Sequence, residues 1–180
     1  MMNGRISVCA RALIASTALL ALSPAGAQDH QAANWSTHEL DFQYMGFSSR
    51  YSCSGLETSV RQILLQLGAR DDKSLVTPGA CSAVNDRPAR IAGVHIKATT
   101  LQPAADANLA NVDAYWKQVT IGGGLSDADC ELMDQVKTEI LRLFATRNVK
   151  SSSTPCVPHQ ATLIAPKLVL EVLIPAELAK

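Results

Sequence analysis

Apolar side chains recur at steps of three and four in two stretches of the chain, and each stretch predicts an amphipathic helix. Leu56, Val60, Ile63, Leu64 and Leu67 make the first stripe; Met133, Val136, Ile140, Leu141 and Phe144 make the second. Ser54 with Glu57, and Ser126 with Asp129, offer capping-box-like starts. Asp127, Asp129 and Glu131 crowd the first turn of the second helix and Arg142 and Arg147 lie near its end, as the helix dipole favours. Gly68 is a natural stop for the first.

Alternation with a period of two predicts strands around these helices. Leu40, Phe42 and Tyr44 alternate with Asp41, Gln43 and Met45 ahead of the first helix, and Tyr115 to Ile121 alternates ahead of the second. Val94 to Leu101 alternates too. Leu168 to Ile174 is apolar on nearly both faces, which suits a strand covered on both sides. Weaker strand signals lie at Ser74 to Cys81 and at Asn148 to Cys156.

The two helical stretches align on one another without a gap when Cys53 is set over Cys130. Ile63 then meets Ile140, Leu64 meets Leu141, Leu67 meets Phe144 and Arg70 meets Arg147. A second cysteine follows 28 residues later in the first copy and 26 in the second, and each copy closes on a proline and a β-rich stretch, Arg90 to Leu101 and Lys167 to Ile174. Each copy reads β-α-β-β. The expected fold is therefore an α+β two-layer sandwich of one domain over residues 37–180. It would consist of two pseudo-repeats (37–101 and 114–180) whose strands form an antiparallel sheet with both helices on one face. Gln102 to Asp113 is expected to link the halves, and residues 28–36 to form a flexible lead-in.

The N-terminus adds a compartment. Arg5 and Arg11, the apolar run Ala12 to Leu22, and Ser23-Pro24-Ala25-Gly26-Ala27 follow one another as the parts of a cleavable secretory signal peptide over residues 1–27. The run is too short to cross a bilayer, which needs about 20 residues. Without the leader the chain keeps 14 basic and 16 acidic side chains, a net charge of −2, with no basic excess of the sort a nucleic-acid binder carries. Cys9 leaves with the leader. The four remaining cysteines, in an exported chain, point to two disulfides. The repeat favours Cys53–Cys81 and Cys130–Cys156, each worth ~3 to 3.5 kcal/mol in the chain-entropy model. Pairings crossed between the halves remain open.

Tyr51-Ser-Cys-Ser-Gly-Leu-Glu57 followed by Ile63-Leu-Leu-Gln-Leu-Gly-Ala-Arg70 resembles a pattern of uncharacterised secreted or periplasmic proteins of Gram-negative bacteria. The resemblance covers about 20 residues; it implies a compartment and a family, and no activity.

Candidate chemistry is sparse. Cleavage after Ala27 would leave Gln28-Asp29-His30 at the new terminus, where the amine, two amides and the His30 ring could hold Cu(II) in a square plane. His38, His95 and His159 are scattered, and His95 reads as a residue of a sheet face rather than a metal ligand. Gly122-Gly123-Gly124 before a helix start lacks the lysine and the spacing of a phosphate loop, and Asp127 and Asp129 would repel an anion. Gly46 to Arg50 lacks the second glycine of a nucleophile elbow. No Cys-x-x-Cys pair is present. These patterns favour a non-enzymatic binding or interaction module of the cell envelope, with Trp116 and outward strand residues on the face away from the helices. A periplasmic hydrolase with a site between the repeats is the alternative, and copper binding by the N-terminus a third.

Overall fold

The computed structural model describes residues 30–46, 50–81, 86–89, 91–106, 112–122, 130–151 and 166–178. The signal-peptide expectation over residues 1–27 lies outside them. Six strands form one antiparallel sheet: β1 His30–Met45, β2 Val76–Pro78, β3 Ile91–Pro103, β4 Val112–Gly122, β5 Thr146–Ser151 and β6 Lys167–Pro175. Their order across the sheet is β2-β3-β1-β4-β6-β5. Two helical segments, α1 Cys53–Gln66 and α2 Cys130–Gln135, complete a mixed α+β fold that is mostly strand.

β1 holds the sheet together. Its 16 residues would span ~50 Å fully extended. Ala33 to Met45 pair with β3, while His30 to Ala33 pair with β4. Two three-strand groups, β2-β3-β1 and β4-β6-β5, thus meet along a ladder of four residue pairs. Residues 30–36, expected to be a flexible lead-in, are strand from His30 onward. Apart from Trp35 their side chains are polar or small and show no alternation, yet Ala33 is fully buried and small enough to sit at the seam. The expected linker is likewise shorter than 102–113, because Gln102 and Pro103 finish β3 while Val112 and Asp113 begin β4.

Strand parity separates the two faces of the sheet. Phe42 and Tyr44 of β1 pair with Val94 and Ala92 of β3, and Tyr115 and Ile121 of β4 pair with Ile174 and Leu168 of β6. All eight join one core with Leu56, Val60, Ile63 and Leu64 of α1 and with Leu132, Met133 and Val136 of the second helical stretch. Both helical stretches therefore pack on the same side of the sheet. The other face carries a small separate cluster, Ala33, Leu101, Ala114 and Leu173, beside the seam.

The helix ends depart from the sequence reading. Ser52, rather than Ser54, caps α1; its extended backbone aims Oγ at the Gly55 N–H, 3.0 Å away. Ser54 instead donates to Asp86. Gly68 ends the helix with φ +87°, a left-handed conformation suited to glycine. The second helix is not a regular α-helix. It passes into a π turn over Val136–Ile140 and a 3-10 turn over Leu141–Leu143, although Met133, Val136, Ile140, Leu141 and Phe144 are all buried as the stripe requires. The Ser126 to Asp129 cap lies outside the described residues.

Candidate binding site

The expected chemical residues do not converge. His30 lies in β1 opposite Tyr115, and its Nδ1 faces the Asp113 carboxylate at 3.1 Å; Gln28 and Asp29 lie outside the described residues. Square-planar copper coordination would have to take Nδ1 away from that partner. His95 is on the sheet face away from the helices, where its Nδ1 sits 2.8 Å from Asp41 Oδ1. Two residues along on that face Lys97 pairs with Glu39 at 3.1 Å, so side-chain contacts bridge β1 and β3 at two rungs of their ladder. His38 reaches Gln102 at 3.5 Å. His159, Gly123 and Gly124 lie outside the described residues. Among the described residues no three His, Cys, Asp or Glu side chains gather to hold a metal.

Cys53 and Cys81 form a disulfide with Cα atoms 6.0 Å apart, tying the start of α1 to the segment after β2. Cys130 is disulfide-bonded as well, and Cys156 lies outside the described residues. Among the described residues no helix is long and apolar enough to cross a membrane. A disulfide-bonded α+β domain of this kind is compatible with an extracellular protein.

What the structure does bring together is two tryptophans, each under an arginine. Trp35 of β1 pairs with Leu101 of β3, and Trp116 of β4 pairs with Leu173 of β6, on the face away from the helices. The guanidinium carbon of Arg70 lies 5.1 Å from the centre of the Trp35 ring, and that of Arg147 lies 4.4 Å from the centre of the Trp116 ring. At those distances the cation meets the negative face of the indole. Trp116 is thus half-buried rather than an open aromatic platform.

Each stack borders a cavity at the end of its helical stretch. The first, about 650 Å3, is lined by Trp35, Leu65, Arg70 and Val112, with Asp113 and Glu177 on its walls. The second, about 620 Å3, is lined by Trp116, Leu141 and Phe144, with Gln102, Lys137 and Arg142 as its polar walls. By volume both fall within the size range of small-molecule sites, ~300 to 1,000 Å3, the first being half-enclosed and the second an open surface depression. Their charge differs: carboxylates share the lining with Arg70 in the first, while Lys137 and Arg142 make the second cationic.

The two arginines also differ in what they hold. Arg147 Nε donates to Glu171 Oε2 at 2.5 Å, and Asn148 Nδ2 donates to Glu171 Oε1 at 3.1 Å. A register shift between Arg147 and Lys150, with Asn148 at φ +54°, turns both side chains onto that one carboxylate. Arg70 is placed comparably, its N–H donating to the Thr99 carbonyl at 3.0 Å. Thr99 precedes Leu101 by two residues just as Glu171 precedes Leu173. The Thr99 hydroxyl is engaged by Thr37 at 3.0 Å, and among the described residues Arg70 has no ion-pair partner.

Comparison with protein families, curated proteins and solved structures returns no match for this chain. The site must therefore be read from its own geometry.

Proposed function

We propose that this chain is an exported binding protein of the cell envelope, periplasmic or secreted, whose ligand sites are the paired Trp/Arg cavities rather than a catalytic centre. The observation that carries the reading is the recurrence of one arrangement: tryptophan on a strand, arginine over it, and a cavity of small-molecule size at the adjoining helix end. A half-buried indole offers a rigid apolar surface, and the guanidinium adds charge and a planar set of donors. The disulfide after β2 suits an oxidising compartment, as does the leader-like N-terminal sequence.

The same recurrence supports descent by duplication of a β-α-β-β unit. Exchanging β1 with β4, β2 with β5 and β3 with β6 leaves the sheet order unchanged. The exchange also carries the Trp35–Leu101 and Ala33–Pro103 rungs onto Trp116–Leu173 and Ala114–Pro175. At the seam Ala32 pairs with Asp113, its own counterpart under the exchange. In this reading the two cavities are twin sites whose charges have since diverged.

The test is a ligand screen on mature, oxidised protein against small-molecule extracts of a Gram-negative envelope. Binding is followed by NMR at the two indole N–H signals. The expected result is a shift at Trp35 or Trp116, with the bound molecule recovered chemically unchanged. Ligands that bind while leaving both indoles unmoved would overturn the assignment, and conversion of the bound molecule would favour the hydrolase alternative.

A further inference from the structure

The difference between the two arginines indicates what the first cavity takes. In one half, a guanidinium stacked on tryptophan is completed by a carboxylate from its own sheet, Glu171. In the other, the stack is present and the carboxylate is replaced by Thr99, whose hydroxyl is turned to Thr37. The Arg70 backbone is fixed by the bond from its N–H to Thr99 and its guanidinium stacks on Trp35, while the side chain stays exposed to an incoming ligand.

We infer that Arg70 is a receptor for the carboxylate of a small zwitterion with an apolar body, an amino-acid-like ligand seated in the cavity of about 650 Å3 beside Trp35. This rests on the binding reading above and gives it a ligand class. Leu65 and Val112 supply apolar wall for the body of such a ligand. Glu177 lines the same cavity, together with Asp113, whose carboxylate His30 Nδ1 also faces at 3.1 Å; these carboxylates would repel a plain anion and attract an ammonium group. Asp71, the remaining carboxylate of the lining, is already taken by Arg61. Opposite charges in one lining thus favour a ligand that carries both. The twin cavity, with Lys137 and Arg142 and no carboxylate in its lining, lacks that pairing.

The molecule also suggests the decisive variant. Thr99→Glu would place in the first half the carboxylate that Glu171 provides in the second, filling the Arg70 fork from within. Mature oxidised protein is titrated with L-phenylalanine, 3-phenylpropionate and phenethylamine, which share one apolar body, and the Trp35 indole N–H is followed by NMR. Concentrations up to about 10 mM register even a Kd of order 1 mM. L-Phenylalanine is expected to bind tightest and phenethylamine at least about tenfold more weakly, the span a charge-assisted hydrogen bond of ~1.5 to 3 kcal/mol covers. Thr99→Glu and Arg70→Gln should each weaken L-phenylalanine by about the same factor, while Thr99→Val, which adds no charge, should stay within about twofold. Folding of each variant is verified from its NMR spectrum. Phenethylamine binding as tightly as L-phenylalanine, undiminished binding in Arg70→Gln, or no shift with L-phenylalanine would overturn the inference. A screen that finds a ligand without a carboxylate at Trp35 would overturn it while leaving the binding reading intact; a ligand bound away from both indoles would remove both.

Discussion

The carboxylate of Asp86 accepts from the Ser54 hydroxyl and, at 3.0 Å, from the Ser54 backbone N–H in the first turn of α1. These bonds, the hydroxyl's foremost, hold its carboxyl below the ordinary value of 3.8. A lowered pKa means the folded state favours the charged form, so this contribution is complete above the ordinary value and is lost as pH falls through the lowered one. Asp86→Asn should therefore melt below wild type at neutral pH, and the gap should close in acid; circular-dichroism melts across that range check it. Ser52 acts on the same turn through its cap to Gly55. Ser52→Ala is expected to cost about 1 kcal/mol in urea denaturation, whereas Ser54, the residue the sequence suggested as cap, serves as a bridge to Asp86.

Among the elements, those whose periodicity faces a core were legible from the sequence. α1, β3 and β6 each put an unbroken apolar set against the other layer, and that set is what a period reports. The first residues of β1 and all of β5 were faint for the converse reason: Gln31 to Asn34 are small or polar, and Thr146 to Ser151 lie largely exposed at the sheet edge. The π and 3-10 turns after α2 keep the same buried stripe as a regular helix, so nothing in the spacing betrays them. The Trp/Arg stacks leave a trace in the sequence. Arg70 and Arg147 align, and Trp35 and Trp116 each precede an aliphatic residue by five positions, Leu40 and Ile121. What no spacing could reveal is that the arginines return over the tryptophans, because that depends on how strands from distant parts of the chain pair. One element boundary makes a sharp prediction. A Cβ on Gly68 would meet Ile174 Cγ2 at 2.9 Å, and φ there is +87°. Gly68→Ala should cost more than about 1 kcal/mol, from strain and from pushing α1 off β6, measured as a lower urea midpoint at unchanged slope.

For the whole molecule, stability depends on cross-links as well as on packing. The Cys53–Cys81 bridge closes a 28-residue separation that holds all of α1 and β2. Replacing both cysteines with alanine is expected to lower unfolding free energy by ~3 kcal/mol, read from equilibrium denaturation under oxidising conditions. Packing is shared between the strand groups: Leu64 and Ile174 belong to one core, as do Tyr44 and Val136. The Tyr44 hydroxyl donates to Glu131 at 3.3 Å, and Gln135 exchanges hydrogen bonds with the Met45 backbone at 2.9 and 3.2 Å, so the far end of β1 is fastened to α2.

Among the described residues only His30 to Ala33 of β1 stitch the two strand groups by strand pairing, and both tryptophans sit within a few residues of that short ladder. Suppose the chain were severed between β3 and β4 and the pieces made separately. Each would carry an incomplete core and half of the ladder, together with the residues of one Trp/Arg stack. Mixed, they can rejoin through that ladder and bury what each leaves bare. The seam is thus a natural site for fragment complementation, and reassembly would be reported by the tryptophans themselves, whose fluorescence responds as the arginines close over them.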